Sequence, residues 1–238
     1  MDKTILLIDI GNSTAVFADY ANRKLRGVKR LTTQSFLNTW HTMGLEKYKK
    51  IIVSSVVPKA DIGLKTFKNC IFVTYKNIPD LVINLKKPHE TGADRLINAL
   101  AAYTSYHKDC LIIDSGTALT FCVVDKHGVY QGGAIVPGMK IGIQALKLYT
   151  AKLPLINVKP QKELIGKTTK EAMQIGLYQG YISLINGMIH AYKKLNPKLF
   201  VIGTGKGLAC MEHELTIDIY DPLLTLKGLE IFADNALT

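Results

Sequence analysis

One pattern, present twice, constrains this chain more than any other feature. Ile5 to Ile10 is an apolar run broken only by Asp9, followed by the turn Gly11-Asn12-Ser13-Thr14 and a second run, Ala15 to Asp19. Leu111 to Asp114, the turn Ser115-Gly116-Thr117-Ala118 and the run Leu119 to Val124 repeat it. Each copy reads as a strand ending in Asp, a glycine turn and a return strand, which is a β-hairpin. A single copy is only a tight turn. Two copies, each heading a comparable series of elements, point to a duplicated α/β unit whose halves pack closely around a cleft. A length of 238 residues accommodates two domains of about 100 residues each. The division expected is 1–108 and 109–238.

The remaining elements fill out two halves. Helical spacing predicts a short helix over Ser35–Leu45 and a longer one over Ala93–Tyr106, with Leu96, Ile97, Leu100 and Ala101 on its apolar face. Strands are expected at Ile51–Val57, stopped by Pro58, and at Cys70–Thr74. In the second half, Val129–Val136 extends the hairpin and Pro137-Gly138 ends it. Thr169–Leu195 reads as a long amphipathic helix, Leu199–Gly203 as a strand and Leu224–Leu237 as a closing helix.

Composition removes several classes. The hydrophobic share is 47% and the charged share 21%, ordinary for a folded globular chain. No apolar run approaches the roughly 20 residues of a membrane span. The start, Met1 to Asp9, is too short and too soon acidic for a signal peptide. A cytoplasmic protein with no membrane partner is the expectation. Cys70, Cys110, Cys122 and Cys210 form no C-x-x-C pair and have no histidine at metal-ligand spacing. They read as reduced thiols in or near strands. Thirty basic residues against nineteen acidic ones give a net charge of +11, which attracts anions over long range. Nucleic acid and a phosphorylated small molecule are both candidates. The cations Arg23, Lys24, Arg26, Lys29, Arg30, Lys47, Lys49, Lys50, Lys193 and Lys194 are scattered, without interleaved aromatics. They read as a solvated surface with no specific nucleic-acid partner.

The turns carry the chemistry. A hairpin turn of small residues presents several backbone N–H groups at once, a nest for phosphate oxygens. Gly11 permits close approach, and Asn12, Ser13 and Thr14 add donors. Asp9 would repel phosphate unless a cation bridges them, which implies Mg²⁺ held through water. The chain has no G-x-x-x-x-G-K-[ST] loop and no G-x-G-x-x-G turn between strand and helix. Gly203 to Gly207 is glycine-rich and alone reads as a flexible turn. Gly92-Ala93-Asp94-Arg95 opens the 93–106 helix, with Thr91 placed to cap it. The helix dipole would lower the pKa of Asp94 and keep it ionised, able to accept a proton from a hydroxyl. Arg95 would hold a carboxylate or phosphate. A helix-start Asp beside a surface Arg is the equal alternative.

Taken together, Asp9 to Thr14, Gly92 to Arg95, Asp114 to Ala118 with Thr120, and Gly132 to Gly138 resemble the type III pantothenate kinase family. Thr168 to Ala172 with Gly176, and Leu224 to Leu229, fit as well. The resemblance spans nearly the whole chain. It implies a duplicated actin-like (ribonuclease H-like) α/β fold, two domains with mixed sheets and an interdomain cleft. It implies ATP-dependent phosphorylation of pantothenate to 4′-phosphopantothenate, the first step of coenzyme A synthesis. Mg²⁺, a monovalent cation (K⁺ or NH₄⁺) and a homodimer are implied too. By motif, Asp9, Ile10, Gly11, Asn12, Ser13, Thr14, Ala15, Val16 and Thr117 resemble the ATP site. Asp94 resembles the general base, within a pantothenate site of Gly92, Ala93, Asp94, Arg95 and Thr169. Asp114 resembles the monovalent-cation ligand.

Three positions depart from the family pattern. Thr168 stands where Asn is usual, and Leu85 where an aromatic residue usually precedes the Gly92 motif by seven positions. The nucleotide-side loop reads Thr204-Gly205-Lys206-Gly207-Leu208-Ala209, one residue longer than the usual Thr-Gly-Gly-small. The alternatives are another small-molecule kinase of the same fold, or a non-catalytic accessory factor in transcription.

Overall fold

The computed structural model describes residues 4–236. The first three residues of the chain and Leu237, the expected end of the closing helix, lie outside them. In chain order the elements are β1 (Ile5–Ile10), β2 (Thr14–Ala21), β3 (Lys24–Thr32), α1 (Thr33–Thr39), β4 (Lys50–Ser55), α2 (Pro58–Leu64), β5 (Cys70–Phe72), β6 (Val82–Ile83) and α3 (Ala93–Tyr106). There follow β7 (Cys110–Ser115), β8 (Ala118–Val124), β9 (Val129–Pro137), α4 (Met139–Tyr149), α5 (Thr169–Leu195), β10 (Phe200–Thr204), β11 (Ile219–Tyr220) and α6 (Leu224–Asn235).

Duplication is visible in the strand orders. The first sheet runs β3-β2-β1-β4-β5 and the second β9-β8-β7-β10-β11. In the first, β1 pairs antiparallel with β2 and parallel with β4. In the second, β7 pairs parallel with β10, which pairs parallel with β11. Both sheets thus place the Asp-bearing strand third from one end, between its hairpin partner and a parallel strand. The short β6 pairs parallel with the start of β9, Val82 beside Val129.

The chain forms two compact units. One contains the described residues up to His107, residues 124–132 and those from Leu223 onward; the other contains 108–123 and 133–222. The first boundary falls one residue from the expected division. The closing helix does not follow it: α6 packs in the first unit, not with the 109–238 half. Its Leu226, Leu229 and Phe232 are buried, as are Leu96, Ile97 and Leu100 of α3, and the two helices contact one another. Tyr20 Oη also donates to Asp234 at 2.8 Å. Apolar stripes on α3 and α6 remove each other from water, worth roughly 1.5–3 kcal/mol per large side chain.

In the first unit, Leu6, Ile8, Ile10, Phe17, Ile51 and Val53 form a core with Phe36 of α1 and with Ala60 and Leu64 of α2. In the second, Leu111, Ile113, Leu119, Phe121 and Val201 pack against Tyr178, Ile182, Ile185 and Ile189 of α5. The helices expected at Ala93–Tyr106 and Thr169–Leu195 are observed with those limits. The helix expected over Ser35–Leu45 starts at Thr33, capped by Thr32, whose Oγ1 accepts from Ser35 N–H. It ends at Thr39, where a tighter turn over Trp40–Thr42 takes over.

β3, α2 and α4 were not expected. β3 lies at the sheet edge with most side chains exposed, so it shows no apolar alternation. Asn22 and Arg23, with φ of 53° and 56°, form the left-handed turn that leads into it. Its Lys24, Arg26, Lys29 and Arg30 discourage edge-to-edge pairing with another chain.

Candidate active site

In the first unit the candidate residues gather at the carboxyl ends of β1 and β4. Asp9 lies opposite Val16 on β2 and beside Ser54 on β4. Ser54 is fully buried, and its Oγ donates to Asp9 Oδ1 at 2.8 Å. The strand end continues into a tight turn: Gly11 N–H donates to Thr14 O at 2.9 Å. Asn12 and Ser13 at its tip are exposed. A Cβ added at Gly11 would meet only Thr14 O, at 3.4 Å, so the fold leaves open the space in front of this backbone. The expected ATP contacts divide here. Ile10, Ala15 and Val16 bury their side chains, leaving them only backbone to offer; Gly11, Asn12, Ser13 and Thr14 are accessible.

Val56 connects this turn to Asp94. Its N–H donates to Ile10 O at 3.1 Å, and its Cγ1 lies 3.2 Å from where a Cβ on Gly92 would stand. The start of α3 is thereby held at the same end of the sheet as the Asp9 turn. Gly92 has a local reason as well: an added Cβ would lie 2.5 Å from Asp94 Oδ1. The residue before Ala93 must lack a side chain for the carboxylate to fold back over the helix start. There Oδ1 accepts from Arg95 N–H at 2.8 Å.

Two details differ from expectation. Thr91 does not cap α3. The cap is Gly92, without a side-chain hydrogen bond, because Thr91 closes the preceding turn by donating its N–H to Pro88 O. The helix terminus also does not lower the Asp94 pKa overall. Burial raises it, opposed by the hydrogen bond from Arg95 N–H and by the Arg95 charge. Desolvation outweighs the local donors because the carboxyl is packed away from water. The Arg95 guanidinium stands 5.9 Å over the ring of the buried Tyr130, which fixes its direction.

The second unit carries its own turn at the ends of β7 and β10. Gly116 N–H donates to Ala118 O at 2.9 Å. Two backbones pack onto this turn. Gly138 N–H donates to Thr117 O at 3.0 Å, and Gly207 N–H to Ser115 O at 2.9 Å. Gly205, with φ of +82°, brings its Cα so near Asp114 that a Cβ would lie 2.5 Å from Oδ1. The longer 204–209 loop thus folds back against Asp114 and Ser115, and Tyr220 Oη donates to Gly205 O at 3.1 Å. Thr117 and Asp114 belong to this cluster. Thr169 does not join it: it is exposed on the first turn of α5. Thr168 before it caps α5, accepting from Glu171 N–H at 3.2 Å, while Glu171 Oε2 accepts from Thr168 N–H at 3.1 Å. This reciprocal cap uses a hydroxyl where the family pattern has Asn.

The donor chemistry suits the implied ions. Among the described residues no group of three or more His, Cys, Asp or Glu could hold a metal. Mg²⁺ needs no such group, since one carboxylate, water and substrate phosphates suffice; Asp9, oriented by Ser54, is such a carboxylate. Asp114 likewise offers only carboxylate oxygens. Cysteine chemistry has no support: burial pushes the Cys70 and Cys110 thiols up to about 12. Two residues went unnoticed in the sequence, Ser54 and Thr33. Each is one hydroxyl in a doublet, Ser54-Ser55 and Thr32-Thr33, and only the pairing of β4 and the start of α1 tell which member turns inward.

Among solved structures, a Campylobacter jejuni protein designated a Baf family transcriptional activator superposes with a TM-score of 0.69, at 24% identity over 98% of each chain. The activator of 2-hydroxyisocaproyl-CoA dehydratase from Clostridium difficile, solved with bound ADPNP, gives a TM-score of 0.54 at 13% identity, covering 98% of this chain and 96% of its own. These likenesses concern the fold alone, a two-sheet mixed α/β fold of the expected actin-like class. The family model of type III pantothenate kinase matches residues 5–191. The type III pantothenate kinase of Listeria monocytogenes is 39% identical, over 95% of both chains. The chain belongs to the type III pantothenate kinase family.

Proposed function

We propose that this kinase transfers the γ-phosphoryl group of ATP to the primary hydroxyl of pantothenate, with Asp94 as general base. One observation carries the assignment of the base: the Asp94 carboxyl is held at the same sheet end as the Asp9 turn, with its pKa raised by burial. A carboxylate with a raised pKa accepts a proton more readily near neutral pH. The hydroxyl oxygen forms a bond to the γ-phosphorus, the bond to the β,γ-bridging oxygen breaks, and ADP leaves. The hydroxyl proton passes to Asp94 and then to solvent. Catalysis of this kind is mostly positioning and charge stabilisation.

Within this reading the backbone of Gly11 to Thr14 cradles phosphate oxygens, and Thr117 adds a contact from the second turn. Asp9 would hold Mg²⁺, which supplies charge neutralisation on the phosphates. Asp114 would hold K⁺ or NH₄⁺. Gly92, Ala93 and Arg95 line the acceptor site, where the Arg95 cation suits the pantothenate carboxylate. Thr169 reaches that site in a homodimer. The same proposal includes a homodimer; the second unit exposes Leu148, Tyr149, Leu155, Leu164 and Ile165, apolar side chains that another chain could cover. Among the described residues no helix is long and apolar enough to cross a membrane, and a cytoplasmic location is part of the same proposal.

A coupled kinase assay with pantothenate, with and without K⁺ or NH₄⁺, tests the reading. Mass spectrometry should find 4′-phosphopantothenate formed in step with ADP. ADP release without that product would reassign the acceptor.

A further inference from the structure

Thr33 is the first residue of α1 and is buried, yet it makes two hydrogen bonds to the turn after β1. Its Oγ1 donates to Gly11 O at 2.6 Å and its N–H to Ser13 O at 3.1 Å. No peptide bond of the described residues is cis. In a trans peptide the C=O and the following N–H point in opposite directions. Turning the carbonyls of Gly11 and Ser13 toward Thr33 therefore turns the N–H groups of Asn12 and Thr14 away from it.

We infer that Thr33 is a positioning residue that aims the donors of the Gly11–Thr14 turn at the phosphates of ATP. This rests on the reading of that turn as the phosphate site. Neither hydrogen bond uses a group that would touch nucleotide. The hydroxyl holds the carbonyl side of the Gly11–Asn12 peptide plane, so its loss releases the Asn12 donor, while the backbone N–H of Thr33 keeps Ser13 O. The two bonds also tie the turn to the end of β3 through Thr32, which caps α1.

The test compares Thr33→Val, which keeps the shape and the backbone bond but loses the hydroxyl, with Thr33→Ser, which keeps the hydroxyl. Calorimetric titration with a non-hydrolysable ATP analogue and Mg²⁺ reads binding directly. Steady-state kinetics read KM for ATP and for pantothenate separately. Thr33→Val should bind the analogue about tenfold more weakly, the scale of one lost hydrogen bond that leaves a partner unpaired. Its KM for ATP should rise in proportion while KM for pantothenate stays at the parent value, and Thr33→Ser should restore both ATP readings. Thermal unfolding checks that the variants are folded, and Thr33→Ala makes the same comparison if Val is not tolerated. Parent-like analogue binding in folded Thr33→Val would overturn the assignment, as would equal rises in both KM values. Variants that all fail to fold, Thr33→Ser included, would show a merely structural residue and overturn it too. A parent chain that binds no nucleotide would instead remove the phosphate-site reading and the aiming role with it.

Discussion

The Asp9 and Asp114 turns begin from the same sequence pattern and the same order of neighbouring strands, but they are held by different means. Side-chain hydroxyls take part in securing the first: Ser54 Oγ on the carboxylate and Thr33 Oγ1 on Gly11 O, with Thr33 N–H on Ser13 O. Backbone packed onto backbone secures the second, through Gly138 on Thr117 and Gly207 on Ser115. Duplication thus conserved the strand order and the hairpin, while each copy met a different surrounding chain. A hydroxyl can be removed with the fold intact. A glycine in a backbone contact cannot be enlarged without moving the chain. The two turns should therefore respond differently to substitution, and that difference can be measured.

Asp94 belongs to neither turn and sets the scale. Asp94→Asn should lower kcat by about 10²-fold or more; near-parent turnover in the folded variant would remove Asp94 as the base. Two pH effects accompany this change. Burial raises the Asp94 pKa, so the folded chain keeps its proton to higher pH than the unfolded chain. Stability is therefore lost as pH rises from the ordinary carboxylate range through the raised value. Asp94→Asn should unfold at a higher temperature than the parent at neutral pH and match it in strong acid. In the parent, the acid limb of kcat/KM should fall above the ordinary carboxylate range.

Paired glycine substitutions are the next largest test. A Cβ at Gly138 would lie 2.4 Å from Thr117 O, so Gly138→Ala should destabilise the fold by about 1–3 kcal/mol, as overpacking does. Gly11→Ala has room within the protein. It should unfold near the parent temperature yet raise KM for ATP. Equal melting shifts for both would erase the contrast between hydroxyl-held and backbone-held turns.

Asp114→Ala should abolish stimulation by K⁺ or NH₄⁺, with activity measured against each chloride salt. A variant that responds as the parent does would give Asp114 another role. The smallest effect is expected for the basic surface. Titration against promoter and random duplexes at two salt concentrations should give Kd values no tighter than about 10⁻⁶ M at physiological salt, the non-specific range. Salt-resistant preference for one duplex would favour the regulatory alternative.

The candidate residues of the site were legible because each belongs to a local motif. Asp9, Gly11 to Thr14, Gly92 to Arg95 and Asp114 each sit where a strand ends or a helix begins, and those ends are written in short stretches of chain. The α3 and α5 limits followed from apolar spacing and from a change of residue type at their ends. The hairpins followed from turns of small residues between apolar runs. Edge strand β3 escaped notice because an exposed strand need not alternate.

Tertiary structure decided the rest. Ser54 is 45 residues from Asp9 along the chain and Thr33 is 22 residues from Gly11; parallel pairing and the path of α1 make them neighbours. The direction of the Asp94 pKa shift was set by burial, which a helix-terminus argument does not contain. The place of α6 in the first unit follows from its packing with α3, not from its position late in the chain. Residue type and periodicity specify elements and candidate groups, because these depend on neighbours along the chain. Which hydroxyl holds a carboxylate, which carbonyls turn inward and how far a carboxyl is desolvated depend on groups that folding alone brings together.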